Sequence, residues 1–118
     1  PLSENRTMLF SHCIITGTAQ TADNQPIDDV GDRLNRIRQY LADTFGGYTE
    51  TETKGGWMNP SGELIEEPGR LFAIFVVDEP SNVEEAYVAA SIIRKELEQH
   101  SVCLIGPDSS VQFVESQG

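Results

Sequence analysis

At 118 residues, with 38% hydrophobic residues and a formal charge of −11, the chain has the size of one domain and a globular make-up. Nineteen acids against eight bases exclude a surface that grips nucleic-acid phosphates, which needs clustered lysine and arginine. No run approaches the roughly 20 apolar residues of a membrane span, and polar Pro1–Arg6 before the short, mixed run Met8–Ile15 does not match a signal peptide.

A cytoplasmic location is therefore expected, with Cys13 and Cys103 as two buried free thiols rather than a disulfide. The acids are spread along the chain. Solubility accounts for such a spread. The sharper reading is an acidic face that meets a basic protein partner.

Met8–Thr18 is apolar and rich in β-branched residues, which predicts a strand; residues 1–7 and 116–118 read as flexible ends. Polar Thr18–Gln25 reads as a loop. Pro26 suits the first turn of a helix, and Val30, Leu34, Ile37, Leu41 and Phe45 then recur three and four apart as one apolar stripe. Asp29/Arg33 and Asp32/Arg36 are spaced to pair along its wet side, each worth at most about 0.5 kcal/mol. Gly46-Gly47 supplies the left-handed stop.

Tyr48–Lys54 alternates Thr and Glu, the pattern of a strand at a sheet edge. Gly55-Gly56 and Asn59-Pro60-Ser61-Gly62 predict a reversal across residues 55–69, with Trp57 at a turn. Leu71–Val77 is continuously apolar, as in a strand buried on both faces. Ser81 followed by Glu84 reads as a capping box, with Pro80 just before it. The helix behind it carries the stripe Val83, Ala86, Ala90, Ile93 and Leu97, widened by Val88, Ala89 and Ile92, and ends near His100. Val102–Ile105 and Val111–Val114 make one strand interrupted at Gly106-Pro107-Asp108, or two short ones.

The order strand, helix, strand, strand, helix, strand predicts one α+β domain, a ferredoxin-like βαββαβ sandwich over 1–118. Its antiparallel sheet carries both helices on one face and a long hairpin between the second and third strands. The third strand presents Leu71, Ala73, Phe75 and Val77 on one side and Phe72, Ile74 and Val76 on the other, and the first has Phe10 and Ile14 opposite Leu9, Cys13 and Ile15, so the face away from the helices is apolar as well. Left in water it would be a contiguous apolar patch, so a homo-oligomer, dimer or trimer, is expected.

The candidate ligand- or partner-binding residues are Trp57, Lys54, Arg70, Tyr48 and Asn59. A tryptophan off the core stripes can anchor a partner or stack on a ligand, or simply fold back on the sheet edge. Lys54 and Arg70 are bases at the hairpin foot that either receive an anion or are neutralised by Glu52, Glu66 and Glu67. His12 and Cys13 are adjacent in a strand and point to opposite faces. A metal site from His12, His100 and the two cysteines needs the first and last strands as neighbours and fits no zinc template. Glu66-Glu67 and Asp78-Glu79 splay apart, Asp28, Asp29 and Asp32 lack the calcium-loop pattern, and neither glycine pair opens a helix as a phosphate loop does. Neither catalytic residues nor a metal or cofactor are expected.

The run Gly47-Tyr48-Thr49-Glu50, then Gly56-Trp57, Ser61-Gly62 and Glu66-Glu67-Pro68, resembles small uncharacterised bacterial ferredoxin-like proteins. In element order the chain also looks like the nitrogen-regulatory PII proteins and their relatives. That resemblance implies trimers that bind a small molecule or nucleotide at subunit clefts near the hairpin foot; the basic cluster that would hold nucleotide phosphates is missing here.

Three functional readings follow. The first is a non-enzymatic, acidic, oligomeric binding protein acting through protein–protein contact, such as an inhibitor or charge mimic of phage or mobile-element type. The second is a small-molecule or nucleotide sensor in which Trp57 stacks on the ligand and Lys54 or Arg70 faces an anionic group. The third is a small dimeric enzyme enclosing an apolar cavity, with His12 and Tyr48 as its candidate groups.

Overall fold

The structure, a computed structural model, describes the backbone of residues 9–77 and 80–116 and the side chains of 11–76 and 84–116. Its elements are β1 (Leu9–Gly17), α1 (Val30–Phe45), β2 (Thr49–Met58), β3 (Leu64–Val77), α2 (Pro80–Glu96), β4 (Ser101–Ile105) and β5 (Val111–Glu115). The strands form one antiparallel sheet in the order β2-β3-β1-β4-β5. The first four follow the ferredoxin-like order, and β5 folds back from β4 as an added edge, so the last apolar stretch is two strands.

Strand alternation sorts the side chains between two faces. His12, Ile14 and Thr16 of β1, Phe72, Ile74 and Val76 of β3, Val102 and Leu104 of β4 and Val114 of β5 are buried beneath the helices. They meet Leu34, Ile37 and Leu41 of α1 and Ala86, Ala89, Ala90, Ile93 and Leu97 of α2. Three buried alanines let α2 lie close on the sheet. Val88 was expected on this stripe, but it faces solvent. The expected Ser81 capping contact and the contribution of Val83 lie outside the described side chains.

Helix α1 begins four residues after Pro26. Asp29 has φ 53 and ψ 41, a left-handed conformation that interrupts any helix through it, while Pro26 forms an isolated bridge with Gln20. The expected pairs within α1 are replaced by contacts with the end of α2: Arg33 binds Glu98 at 3.1 Å, and Arg36 binds Glu96. Those acids lie closer to the guanidinium groups because the helices pack side by side. The helix stops at Gly46, φ 82, as its sequence indicates.

The hairpin is longer and more regular than its glycines imply. Gly55 and Gly56 lie within β2, paired to Glu67 and Glu66, and β3 begins at Leu64. The reversal is confined to residues 59–63, where Asn59 Oδ1 accepts from the Glu63 N–H at 2.8 Å and Gly62 has φ 83. Glycine is compatible with extended backbone, so the pair marks no turn. Trp57 is therefore a strand residue opposite Ile65.

The face away from the helices holds Ser11, Cys13, Ile15, Leu71, Ala73, Cys103 and Ile105, with Phe75, Val111 and Phe113 exposed at 59%, 56% and 63%. On β2 the threonines 49, 51 and 53 continue it. The two cysteines, expected to be buried, are half-buried free thiols here because no described element covers this face. Among the described residues, only Glu67 beyond one end and Glu115 at one edge bring charge to it.

Candidate functional site

Gly17, the last residue of β1, pairs with Gly69, so the hairpin beyond Gly69 has no third strand beside it. There Trp57 and Glu67 are diagonal neighbours on one face, and the indole Nε1–H donates to Glu67 Oε1 at 3.1 Å. The segment after β1 forms the facing wall. Its backbone is held by Thr18 N–H to Pro68 O at 3.2 Å, Ala22 N–H to Glu98 O at 2.8 Å, and Gln99 Nε2 to Gln20 O at 2.8 Å. Between the walls lies a groove of about 460 Å³ lined by Gln20, Asn24, Trp57, Glu67, Gln99 and His100, with Thr21, Ala22 and Ser101. On the far side of Glu67 a shallow hollow of about 520 Å³ is lined by Glu52, Thr53, Lys54, Glu66, Glu67 and Pro68.

Of the five residues singled out in the sequence, only Trp57 lines this groove. Lys54 lies in the second hollow, with Nζ 3.9 Å from Glu66. Arg70 sits between Glu50 and Glu52, each at 3.4 Å. Glu50 also accepts from Arg38 Nε and Nη2 at 2.7 and 2.8 Å, and this pairing holds its carboxyl below the ordinary carboxylate range against the opposing effect of burial. Asn59 shapes the hairpin tip. Tyr48 lies at the opposite end of β2, its ring edge-on to Phe72 at 6.2 Å, beside a hollow of about 280 Å³ with Phe45, Gly46 and Phe75.

Glu67, Gln20, Asn24 and Gln99 escaped the sequence reading. The signal for Glu67 was present: once Gly55-Gly56 is read as strand, Trp57 and Glu67 fall on one face by alternation. The amides come from a loop and a helix end, whose approach no local pattern announces.

The groove offers a flat indole face, three carboxamides, one carboxylate and an imidazole. His100 Nδ1 lies 3.4 Å from Ser116 Oγ. Lys54 and Arg70, the bases nearest in sequence, face carboxylates. Such a lining suits a planar, hydrogen-bonding ligand that is neutral or cationic, and brings no lysine or arginine to a phosphate. β1 and β4 are neighbours, but His12 points under the helices while Cys13 and Cys103 lie on the other face. No helix among the described residues is long and apolar enough to cross a membrane.

No family model and no curated protein matches the chain. Among solved structures it is similar to a phage SAM lyase in complex with S-methyl-5'-thioadenosine, with TM-score 0.68 and 17% identity over 94% of this chain and 92% of the other. It is likewise similar to a phage SAM lyase in the apo state, with TM-score 0.67 and 15% identity over 92% and 90%. At such identities the likeness is one of fold, and it extends over nearly the whole of both chains.

Proposed function

We propose that the chain binds an adenosine-type thioether or sulfonium in the Trp57–Glu67 groove, and that a second copy seated on the open sheet face closes that groove. The observation that carries this reading is the indole held by Glu67 in a groove of uncharged hydrogen-bonding groups. A purine stacks on the indole and finds amide donors and acceptors at its edge. The carboxylate opposes a sulfonium centre through space. The absence of lysine and arginine among the described lining residues argues against the anionic ligand expected from the sequence and for an unphosphorylated nucleoside. Solved structures of the same fold named for SAM, one holding S-methyl-5'-thioadenosine, support the choice of ligand class.

Trp57 is the chain's only tryptophan, so its fluorescence reports the groove directly. Titration with SAM and with S-methyl-5'-thioadenosine is expected to give a saturable change, with AMP as the phosphorylated control that gives none. The same affinities measured by calorimetry fall in Trp57→Ala. No binding of either compound at 1 mM, on the order of the weakest affinity a specific site shows, refutes the proposal. Chromatography of the SAM incubation reports whether the compound leaves intact or as S-methyl-5'-thioadenosine.

A second reading, contact with a basic protein, is favoured by Met58 and Leu64, which face each other near the hairpin tip and are both mostly exposed. It predicts capture of a basic partner at low salt, lost as screening rises. Capture that is insensitive to salt refutes it.

A further inference from the structure

At the other end of β1, on the helix side, a hollow of about 240 Å³ is lined by His12, Glu84, Tyr87, Leu104, Gly106, Ser110 and Gln112. It has room for a small organic molecule, since one water takes about 30 Å³. His12 is only 5% exposed, and its Nδ1 has no hydrogen-bond partner. A polar ring this deeply buried is ordinarily satisfied. Gly106 forms the floor. Ser110 Oγ, Asp108 Oδ1 and His12 Nε2 lie 3.0, 3.3 and 3.9 Å from the point where a side chain would start on it, so three polar atoms gather at the rim of a gap that only glycine leaves open.

We propose that this hollow is a second binding site, for the head of a primary alkylammonium. Charge selects the ligand: Glu84 lines the hollow and the Asp108 carboxylate stands beside Gly106, while no lysine or arginine among the described residues lines the hollow. A metal is disfavoured, because no three His, Cys, Asp or Glu side chains among the described residues stand close enough to hold one. An ammonium carries three donors, and Asp108, Ser110 and the His12 ring supply acceptors of three kinds. Burial holds the ring below its ordinary pKa, with Asp108 pulling the other way, so near pH 7 the ring is neutral and one of its nitrogens keeps a lone pair. Leu104 and the Tyr87 ring provide an apolar wall for the alkyl chain.

The test is a titration of the isotope-labelled protein with propylammonium chloride, followed by the amide signals of Gly106 and Ser110 and the ring signals of His12. Saturable shifts confined to these residues are expected, with half-saturation on the order of 1 mM, within reach of a ligand of four heavy atoms. Propanol lacks the charge and tetramethylammonium lacks the donors, and neither reproduces the shifts. Asp108 is exposed, so Asp108→Asn keeps the fold and is expected to weaken binding about tenfold, the loss of one charge-assisted hydrogen bond. Gly106→Ala fills the floor and abolishes binding. Nα-acetyl-lysine methylamide distinguishes a lysyl side chain from a free amine, and binding of either supports the site. Equal shifts with tetramethylammonium, or no saturation by either amine at 20 mM, roughly twenty times the expected half-saturation point, overturn the proposal.

Discussion

Replacing Gly69 by alanine sets a methyl group against the Thr16 carbonyl oxygen, well inside contact distance, and 2.7 Å from Thr53 Oγ1. Gly69 is the residue of β3 flanked by Gly17 on one side and Thr53 on the other, at the last point where three strands run together. The carbonyl belongs to β1's backbone and cannot rotate away, so strands must shift. Overpacking of this kind costs about 1–3 kcal/mol. Alanine also restricts the unfolded chain, which returns about 0.4–1 kcal/mol, leaving a net loss of about 1–2 kcal/mol. For a domain of this size that lowers Tm by roughly 4–8 °C, at about 4 °C per kcal/mol. The internal control is Gly17→Ala. There the nearest atom is Gln99 Oε1 at 2.8 Å, the far end of a side chain that can turn aside at the expense of its bond to Gln20 O, and after the same return from the unfolded chain the net change stays within about 0.5 kcal/mol. Urea unfolding of both variants measures the difference. Equal stabilities for the two would refute the register assigned to the hairpin foot.

The His12 ring is held below its ordinary pKa by burial, so the folded state resists its protonation. Stability is fully present above about pH 6.5, the unfolded value, and falls as pH descends from there toward the lowered folded value; urea midpoints at pH 7 and 5.2 show the drop, and His12→Gln removes it. Glu50 titrates with the opposite sign: its contribution is complete above the ordinary carboxylate value of about 4.3 and is lost as pH falls through the depressed folded value, chiefly set by Arg38. Glu50→Gln at neutral pH is expected to cost about 2 kcal/mol, since its 13%-exposed carboxylate takes charge-assisted bonds from Arg38, and chemical denaturation checks it. Phe75→Lys leaves the fold unchanged but places charge in the open sheet face; sedimentation is expected to give an assembly for the parent chain and 13.0 kDa for the variant. A parent chain that sediments at 13.0 kDa at micromolar concentration removes the assembly.

Periodicity made most of the fold legible. The stripes of Leu34, Ile37 and Leu41, and of Ala86, Ala90 and Ile93, had one packing solution, and the Thr–Glu alternation of β2 indicated the edge position it occupies. The errors occurred where a local signal had two physical meanings. Gly55-Gly56 serves a turn or an extended strand equally well, and pairing with Glu67 and Glu66 decided for the strand. Pro26 fits a helix start, but Asp29 in the left-handed region postpones it. The groove was half legible. Trp57 stood out by rarity, whereas Gln20, Asn24 and Gln99 became neighbours only through tertiary contacts between a loop and the end of α2. Arg70 was legible as a base that either receives an anion or is neutralised by a nearby acid such as Glu52, which does pair with it; its second partner, Glu50, is twenty positions away and becomes adjacent only through the pairing of β2 with β3.

The open face and the groove share one side of the sheet, and this couples the two parts of the proposed function. The chain carries −11, yet between Glu67 and Glu115 its open face holds no described charge, so two copies meeting there avoid most of their mutual repulsion. Such a meeting brings a second chain over the end where Trp57 and Glu67 lie, and takes water from the Glu67 carboxylate. A buried carboxylate is costly unless a positive partner joins it. A sulfonium ligand supplies that charge, and a neutral thioether does not. Ligand binding and self-association are then linked reactions: SAM should tighten the assembly, and it should do so more strongly than S-methyl-5'-thioadenosine, because only the cation compensates the carboxylate that assembly desolvates.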